Sequence, residues 1–230
     1  MRTAMVAGAA GEESRAMVAA LRRDGYAVHE VEKVAQVPRE LERVRPQVFV
    51  PIGMEHTHAA CRERSRFEPY TRLLVPPLSG FEAAWQAAER AMCCGRLGIP
   101  AAWPGEMGDE GEEGSQTALL LFGADSRLRA AFTARGTRQV SSWEPNLVEQ
   151  VLPFFTVWAW RGPVEVKFRF DRRERREKVT AMLPFWAGSV RVVADAYPGM
   201  LAMVARLVRG EEVAAETYPA YAAGRQEPLR

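Results

Sequence analysis

The sequence predicts an α/β protein built in two manners. Strands alternate with helices around a parallel sheet over residues 1–100, and an antiparallel sheet with helices packed on it follows over 117–230. Three observations carry that expectation. Apolar runs at 3–7, 26–31, 47–52 and 72–75 are separated by stretches of helical spacing, and parallel neighbours need crossovers of that kind. After residue 116 the apolar alternation recurs at 117–122, 128–133, 164–170 and 178–182, with only a turn's length inside each pair. Between the two parts GEMGDEGEEGSQ is glycine-rich and acidic, so 101–116 reads as a mobile loop or linker.

Each element follows from its residues. The run 3–7 is closed by Gly8-Ala9-Ala10-Gly11, after which 12–23 places Met17, Val18 and Leu21 on one helical face before Asp24-Gly25 ends it. Residues 37–44 form a short helix with Pro38 in its first turn. Gly53 stops the strand QVFVPI, 58–66 is helical, 72–75 is a further strand, and 80–97 is one long alanine-rich helix ended by Gly98-Ile99-Pro100. In the second part Gly123-Ala124-Asp125-Ser126 turns the chain between the first two strands. Helical spacing returns at Leu147, Val148, Val151 and Leu152 within 145–160, with Pro153 expected to interrupt and kink it. The charged segment 171–177 joins the last two strands, and 198–208 is a helix ended by Gly210.

Composition narrows the class. With 230 residues, 47% apolar and 26% charged, the chain is neither a disordered tail, a collagen-like fibre nor a rod, and it has enough length for a sizeable core. A net charge of +2 supplies no global field toward nucleic acid or anionic lipid. No apolar run reaches the about 18 residues of a membrane span. Cys61, Cys93 and Cys94 cannot frame a secreted disulfide scaffold, and the first apolar stretch runs into an acidic pair where a cleavage site would stand. The expectation is a reducing cytoplasm, with neither nucleic acid nor membrane as partner.

Three local patterns invite chemistry. Gly8 to Gly11 after a strand could cradle a phosphate, because glycines let backbone N–H groups approach an anion. No third glycine and no Lys-Ser/Thr follow, and Glu12-Glu13 repel an anion, so a plain turn is favoured. Glu55, His56, His58 and Cys61 cluster, but the histidine spacing is not that of a helical zinc site and a fourth ligand is missing. The basic run at 172–178 is broken by glutamates, has no interleaved aromatics and sits where a hairpin turns, which favours a solvated turn. No G-x-S-x-G elbow or cysteine–histidine motif supports a nucleophile.

GPVEVKFRFD at 162–171 and KVTAMLPFWAGS at 178–189, joined by that turn, resemble the last core segment of ATP-grasp ligases. Those enzymes carry there G-x-A-x-V-E-F-K-x-D followed by E-I-N-P-R-F-W-G-S. The resemblance extends in order along most of the chain, through residues 2–28, 45–53, 96–104, 119–140 and 194–210, with low identity in each piece. It implies a Rossmann-like N-terminal domain before a truncated ATP-grasp core. It also implies a chemistry in which ATP activates a carboxylate as an acyl phosphate and oxygen ligands hold divalent cations.

The match informs by its departures. The family glutamate falls on Lys167, its later glutamate and asparagine on Ala181 and Leu183, and its arginine on Phe185, while Pro184, Gly188 and Ser189 keep the framework. A shift of two brings Glu165 to the first position without restoring the others. Residues 101–116 are too short for the family's nucleotide lid and contain no lysine. The resemblance therefore implies a catalytically degenerate protein without a cofactor, acting as a partner, scaffold or regulatory subunit with another protein or a second copy. One alternative is a carboxylate–amine ligase component, using ATP and Mg, that a partner chain completes. Another is a binder of a small anion or peptide in a residual cleft formed by Arg135, Arg138, Lys167, Phe185, Trp186 and Ser189. Against that cleft stands the plain reading of Phe185 and Trp186 as core.

Overall fold

The computed structural model describes residues 2–106, 115–135, 140–142, 144–186, 189–190, 193–194 and 197–215. Strands β1 (Arg2–Ala7), β2 (Tyr26–Val31) and β3 (Val48–Pro51) form a parallel sheet in the order β2-β1-β3. Helix α1 (Glu12–Arg23) crosses from β1 to β2, and α2 (Val37–Val44), entered through a 3-10 turn at Val34–Gln36, crosses from β2 to β3. Central β1 is buried on both faces, as a parallel strand between helices must be. Ala4 and Val6 face the α1 side with Met17 and Leu21, while Met5 and Ala7 face α2 with Val37 and Leu41.

Helices α3 (Met54–Arg62) and α4 (Arg64–Phe67) follow, and then the chain departs from expectation twice. Residues 72–75 are extended and alternate in side, with Leu74 in one core and Leu73 and Val75 in another, yet they join no sheet. Their carbonyls are partly satisfied by a side chain: Arg64 donates to Val75 O at 2.7 Å and to Pro76 O at 3.1 Å. The expected single helix 80–97 is two, α5 (Leu78–Trp85) and α6 (Ala87–Arg96), broken at Gln86 by an extended ψ of 116°. Buried Arg90 holds the break. Its guanidinium donates to Ala84 O at 3.0 Å, at the end of α5, and to Thr180 O at 2.6 Å across the interface. Charge-assisted bonds of that kind replace the helical bonds lost at the break.

The second sheet is antiparallel throughout, in the order β6-β5-β4-β7-β8. It comprises β4 (Gln116–Phe122), β5 (Leu128–Arg135), β6 (Val140–Ser142), β7 (Gly162–Asp171) and β8 (Arg176–Pro184). The short β6 has no counterpart in the expected elements. Helix α7 (Pro145–Val157) continues through Pro153, which lies on its exposed side with Glu149, whose helical bond it removes. Helix α8 (Pro198–Val208) starts and ends where its sequence says, and it lies between the two sheets. Leu119, Leu121 and Phe132 on one side, and Val6, Val48 and Val50 on the other, share its core. The opposite face of the antiparallel sheet packs on α5, α6 and α7. Residues 107–114, most of the acidic stretch, lie outside the described residues. Its lead-in does not: Ala102 and Val179 bond backbone to backbone at 2.9 Å, and Ala101 bridges the same residue.

The β7–β8 hairpin turns at 172–175, as the charged run predicts, and a buried lysine clasps it. Lys178 Nζ stands 2.6 Å from Glu106, 2.9 Å from Asp171 and 2.6 Å from Glu174. Among the described residues these three carboxylates are the one grouping with the spacing of a metal site, and the ammonium already occupies its centre. Hydrogen bonding to Lys178 holds the Asp171 carboxyl down at about 2. A lowered acid pKa gives stability that is present above the unfolded value of about 4 and lost as pH falls through the folded one. We expect Lys178→Met to lower the urea midpoint most above about pH 5, with the deficit closing toward pH 2. A deficit that does not depend on pH would mean that the lysine acts only through packing.

Candidate functional site

Along β7 the side chains alternate. Val164, Val166 and Phe168 enter the core beneath α7, so Glu165 and Lys167 take the other face, toward α8 and the first sheet. The register places Glu165 opposite Leu183 and Lys167 opposite Ala181, with a bulge following Lys167. The β7 and β8 positions that the resemblance singles out are therefore neighbours in space. Leu119 and Thr117 of β4 flank them on the same face.

Glu165 is fully buried. Neither carboxylate oxygen has a hydrogen bond of full geometry among the described residues, and Lys167 Nζ stands 3.7 Å from Oε1. Burial pushes the carboxyl up to about 7, against the downward pull of the Lys167 ammonium and the Ser189 hydroxyl. The Glu13 carboxylate adds a small upward push, which places the first turn of α1 on the same side as Glu165. Lys167 is half-exposed at the rim.

The other nominated residues divide. Ser189 is sealed beside Glu165, its N–H donating to Trp186 O at 3.0 Å. Phe185 and Trp186 are buried in the core between the sheets, where Trp186 Nε1 donates to Leu120 O at 3.2 Å. Phe185 adopts φ 56°, and its N–H donates to Pro163 O, so the two rings anchor the end of β8. Arg135 does not join them. It continues the face of Ala131, opposite the one Ala134 shares with Lys167, and it pairs with Glu144 at 2.6 Å. Arg138 lies outside the described residues.

The remaining motifs are structural in their contacts. Gly8 is required by a close approach, since a Cβ there would lie 2.8 Å from that of Ile52, and Ser14 Oγ donates to Ala9 O at 2.7 Å. That is a self-closed turn. Buried His56 bonds Glu32 O through Nε2 at 2.9 Å, exposed His58 stacks on Phe81, and burial pushes the Cys61 thiol up to about 12.

A divalent cation wants several oxygen ligands. Here one carboxylate, an ammonium and two apolar side chains line the register, and Glu165 is closed off beneath them. Among the described residues, those at this register do not fit a metal–nucleotide centre.

Sequence reasoning missed a second feature. Beside β3, residues 74–76 and the start of β7 line a shallow crevice open to solvent, with room inside for scarcely one water. Val50, Leu74, Phe185 and Val204 make it mostly apolar, while Thr57 and Arg161 also line it. Thr57 Oγ1 and Arg161 Nε are buried and unpartnered among the described residues. No periodicity or motif marks either residue.

No protein-family model and no curated protein matches the chain. Solved structures do. N5-carboxyaminoimidazole ribonucleotide synthetase from Thermotoga maritima superposes with a TM-score of 0.69 at 10% identity, over 94% of this chain and 78% of that one. Biotin carboxylase from Campylobacter jejuni gives 0.63 at 6% identity, over 95% and 72%. A protein from Archaeoglobus fulgidus described as ATP-grasp superfamily gives 0.59 at 15% identity, over 93% and 89%. Parallel sheet, antiparallel sheet and intervening helix agree across nearly the whole chain, and the chain has the ATP-grasp fold.

Proposed function

We propose that this chain is an ATP-grasp-like protein without the catalysis of its fold, acting by binding as a partner, scaffold or regulatory subunit. One observation carries the reading. Lys167 stands where the resemblance puts a metal-ligating carboxylate, and its ammonium lies 3.7 Å from the buried carboxylate of Glu165. A cation fixed there opposes a second cation. Opposite it, Ala181 and Leu183 offer no side-chain oxygen. Isothermal titration with ATP and magnesium is expected to give no heat. Magnesium-dependent binding in the micromolar range typical of a working site, about −8 kcal/mol, would overturn the reading.

Glu165 favours a second reading, that of a ligase component completed by another chain. A buried carboxylate kept near neutrality is the kind of group active sites retain. Repeating the titration with a co-purifying protein present separates the two, because only this reading expects heat to appear on adding the partner.

A further inference from the structure

We propose that the turn of the β7–β8 hairpin, with Trp103 beside it, is the surface by which this chain binds a partner protein, and that the partner presents an acidic segment carrying an apolar side chain. The proposal rests on the reading of the chain as a protein that acts by binding, and it names the surface.

Charge is sorted at this turn. Arg172, Arg173, Arg175 and Arg176 are all exposed. The acidic residues among them are engaged elsewhere. Asp171 and Glu174 pair with the buried Lys178 ammonium at 2.9 and 2.6 Å, and Glu177 accepts from Gln116 at 3.2 Å. Arg176 also pairs with Glu174. Arg172, Arg173 and Arg175 therefore present guanidinium groups with no ion pair among the described residues. The turn that carries them is held in one shape, because Asp171 Oδ1 accepts the N–H groups of Arg173 and Glu174 at 2.8 and 3.1 Å. Arg175 takes φ 52°, a region that glycine or asparagine occupies at less cost. A preformed turn loses less freedom on binding.

An aromatic anchor stands next to the charge. Trp103 is 55% exposed. Its N–H donates to Glu106 at 2.8 Å, and the other oxygen of that carboxylate lies 2.6 Å from Lys178 Nζ, which fixes Trp103 beside the hairpin. Phe170, 46% exposed, leads into the turn from β7. Arginine and large aromatic side chains are the residues that anchor protein interfaces. Unpaired guanidinium groups fit carboxylates, and the exposed indole fits an apolar side chain between them. A nucleic acid fits less well. Glu106, Asp171, Glu174 and Glu177 surround the same turn, and a net charge of +2 supplies no wider basic field to track a phosphate backbone.

The test uses the full chain and fluorescence anisotropy at low salt with three labelled probes: the heptapeptide EEDFLEE, its amide counterpart QQNFLQQ and a short oligothymidylate. EEDFLEE is expected to bind, less tightly as salt rises, and the other two to bind about tenfold more weakly or not at all. Replacing Arg172, Arg173 and Arg175 together by serine should weaken EEDFLEE about tenfold, as the loss of three exposed ion pairs does, and leave the thermal unfolding midpoint unchanged. Lysine at the same three positions should restore most of the binding. Trp103→Ala should weaken EEDFLEE without altering its salt dependence. Undiminished binding by the folded serine variant, a preference for oligothymidylate, or no binding of EEDFLEE would overturn the proposal. So would binding that appears only after Asp109, Glu110, Glu112 and Glu113 are replaced by their amides, since the chain's own acidic residues would then be the occupant. A failed peptide experiment beside a silent titration with ATP and magnesium removes this surface and leaves the broader reading standing.

Discussion

Gly162→Ala is expected to destabilise the protein by roughly 3 kcal/mol or more, combining left-handed backbone strain of about 1–2 kcal/mol with overpacking of about 1–3. Gly162 opens β7 with φ +85°, a region side chains avoid, and a Cβ there would sit 2.3 Å from Leu74 O. The obstacle is backbone, so no rotamer change relieves it. Leu74 belongs to the unpaired segment 72–75, and Gly162 pairs with Phe122 at the edge of β4, so the glycine is a contact point between the two sheets' surroundings. Urea denaturation of the variant checks the magnitude. A midpoint within error of the parent's would mean that 72–75 yields freely, and that its burial does not anchor it.

That segment also shows why part of the fold escaped the sequence. The apolar run LLV marks an extended, buried segment, and in the structure Leu74 faces one core while Leu73 and Val75 face another. Pairing is another matter, because whether a neighbouring strand or an arginine satisfies the carbonyls depends on residues far away. The break between α5 and α6 has the same origin. Nothing in AAWQAAERA marks Gln86, since the group that stabilises the break is Arg90, reaching back to Ala84 and across to Thr180. Where ends are encoded locally, as in α1 with Asp24-Gly25 or α8 with Pro198 and Gly210, the boundaries were readable to the residue.

The candidate site divides along the same line. A hairpin's register follows from its turn as far as Phe168 opposite Val179, but a bulge then shifts it by one, so that Lys167 meets Ala181 where counting from the turn gives Thr180. Glu165's burial was not legible, because it depends on α8 and residues 189–190 closing over β7 from another part of the chain. Arg135 failed on parity. Its face relative to Lys167 is set by two successive registers through β4, and a one-residue difference in either would reverse it. Thr57 and Arg161 lie 104 positions apart in sequence, and only the packing of β3 against the start of β7 brings them to one crevice.

Glu165→Gln is expected to stabilise the protein by about 3 kcal/mol at pH 8 and by little at pH 4, from 1.36 kcal/mol per unit of raised pKa. The sign follows from the buried acid. Its folded pKa of about 7 lies above the unfolded value, so between roughly pH 4.5 and 7 the native state keeps a proton the unfolded chain has lost. Stability therefore falls as pH rises through that window and levels off above it. Glutamine has the shape of the protonated acid and never ionises, so its difference from the parent should trace that curve in urea midpoints measured from pH 4 to 8. Parallel curves for the two proteins would show that Glu165 is solvated or paired more completely than its surroundings indicate. The same measurement bears on function, because a divalent cation binding the ionised carboxylate would lower its pKa and flatten the parent's profile. If Lys167 has replaced the metal, millimolar magnesium leaves the profile unchanged. Flattening that disappears in Glu165→Gln would instead identify Glu165 as a surviving ligand and favour a ligase completed in complex.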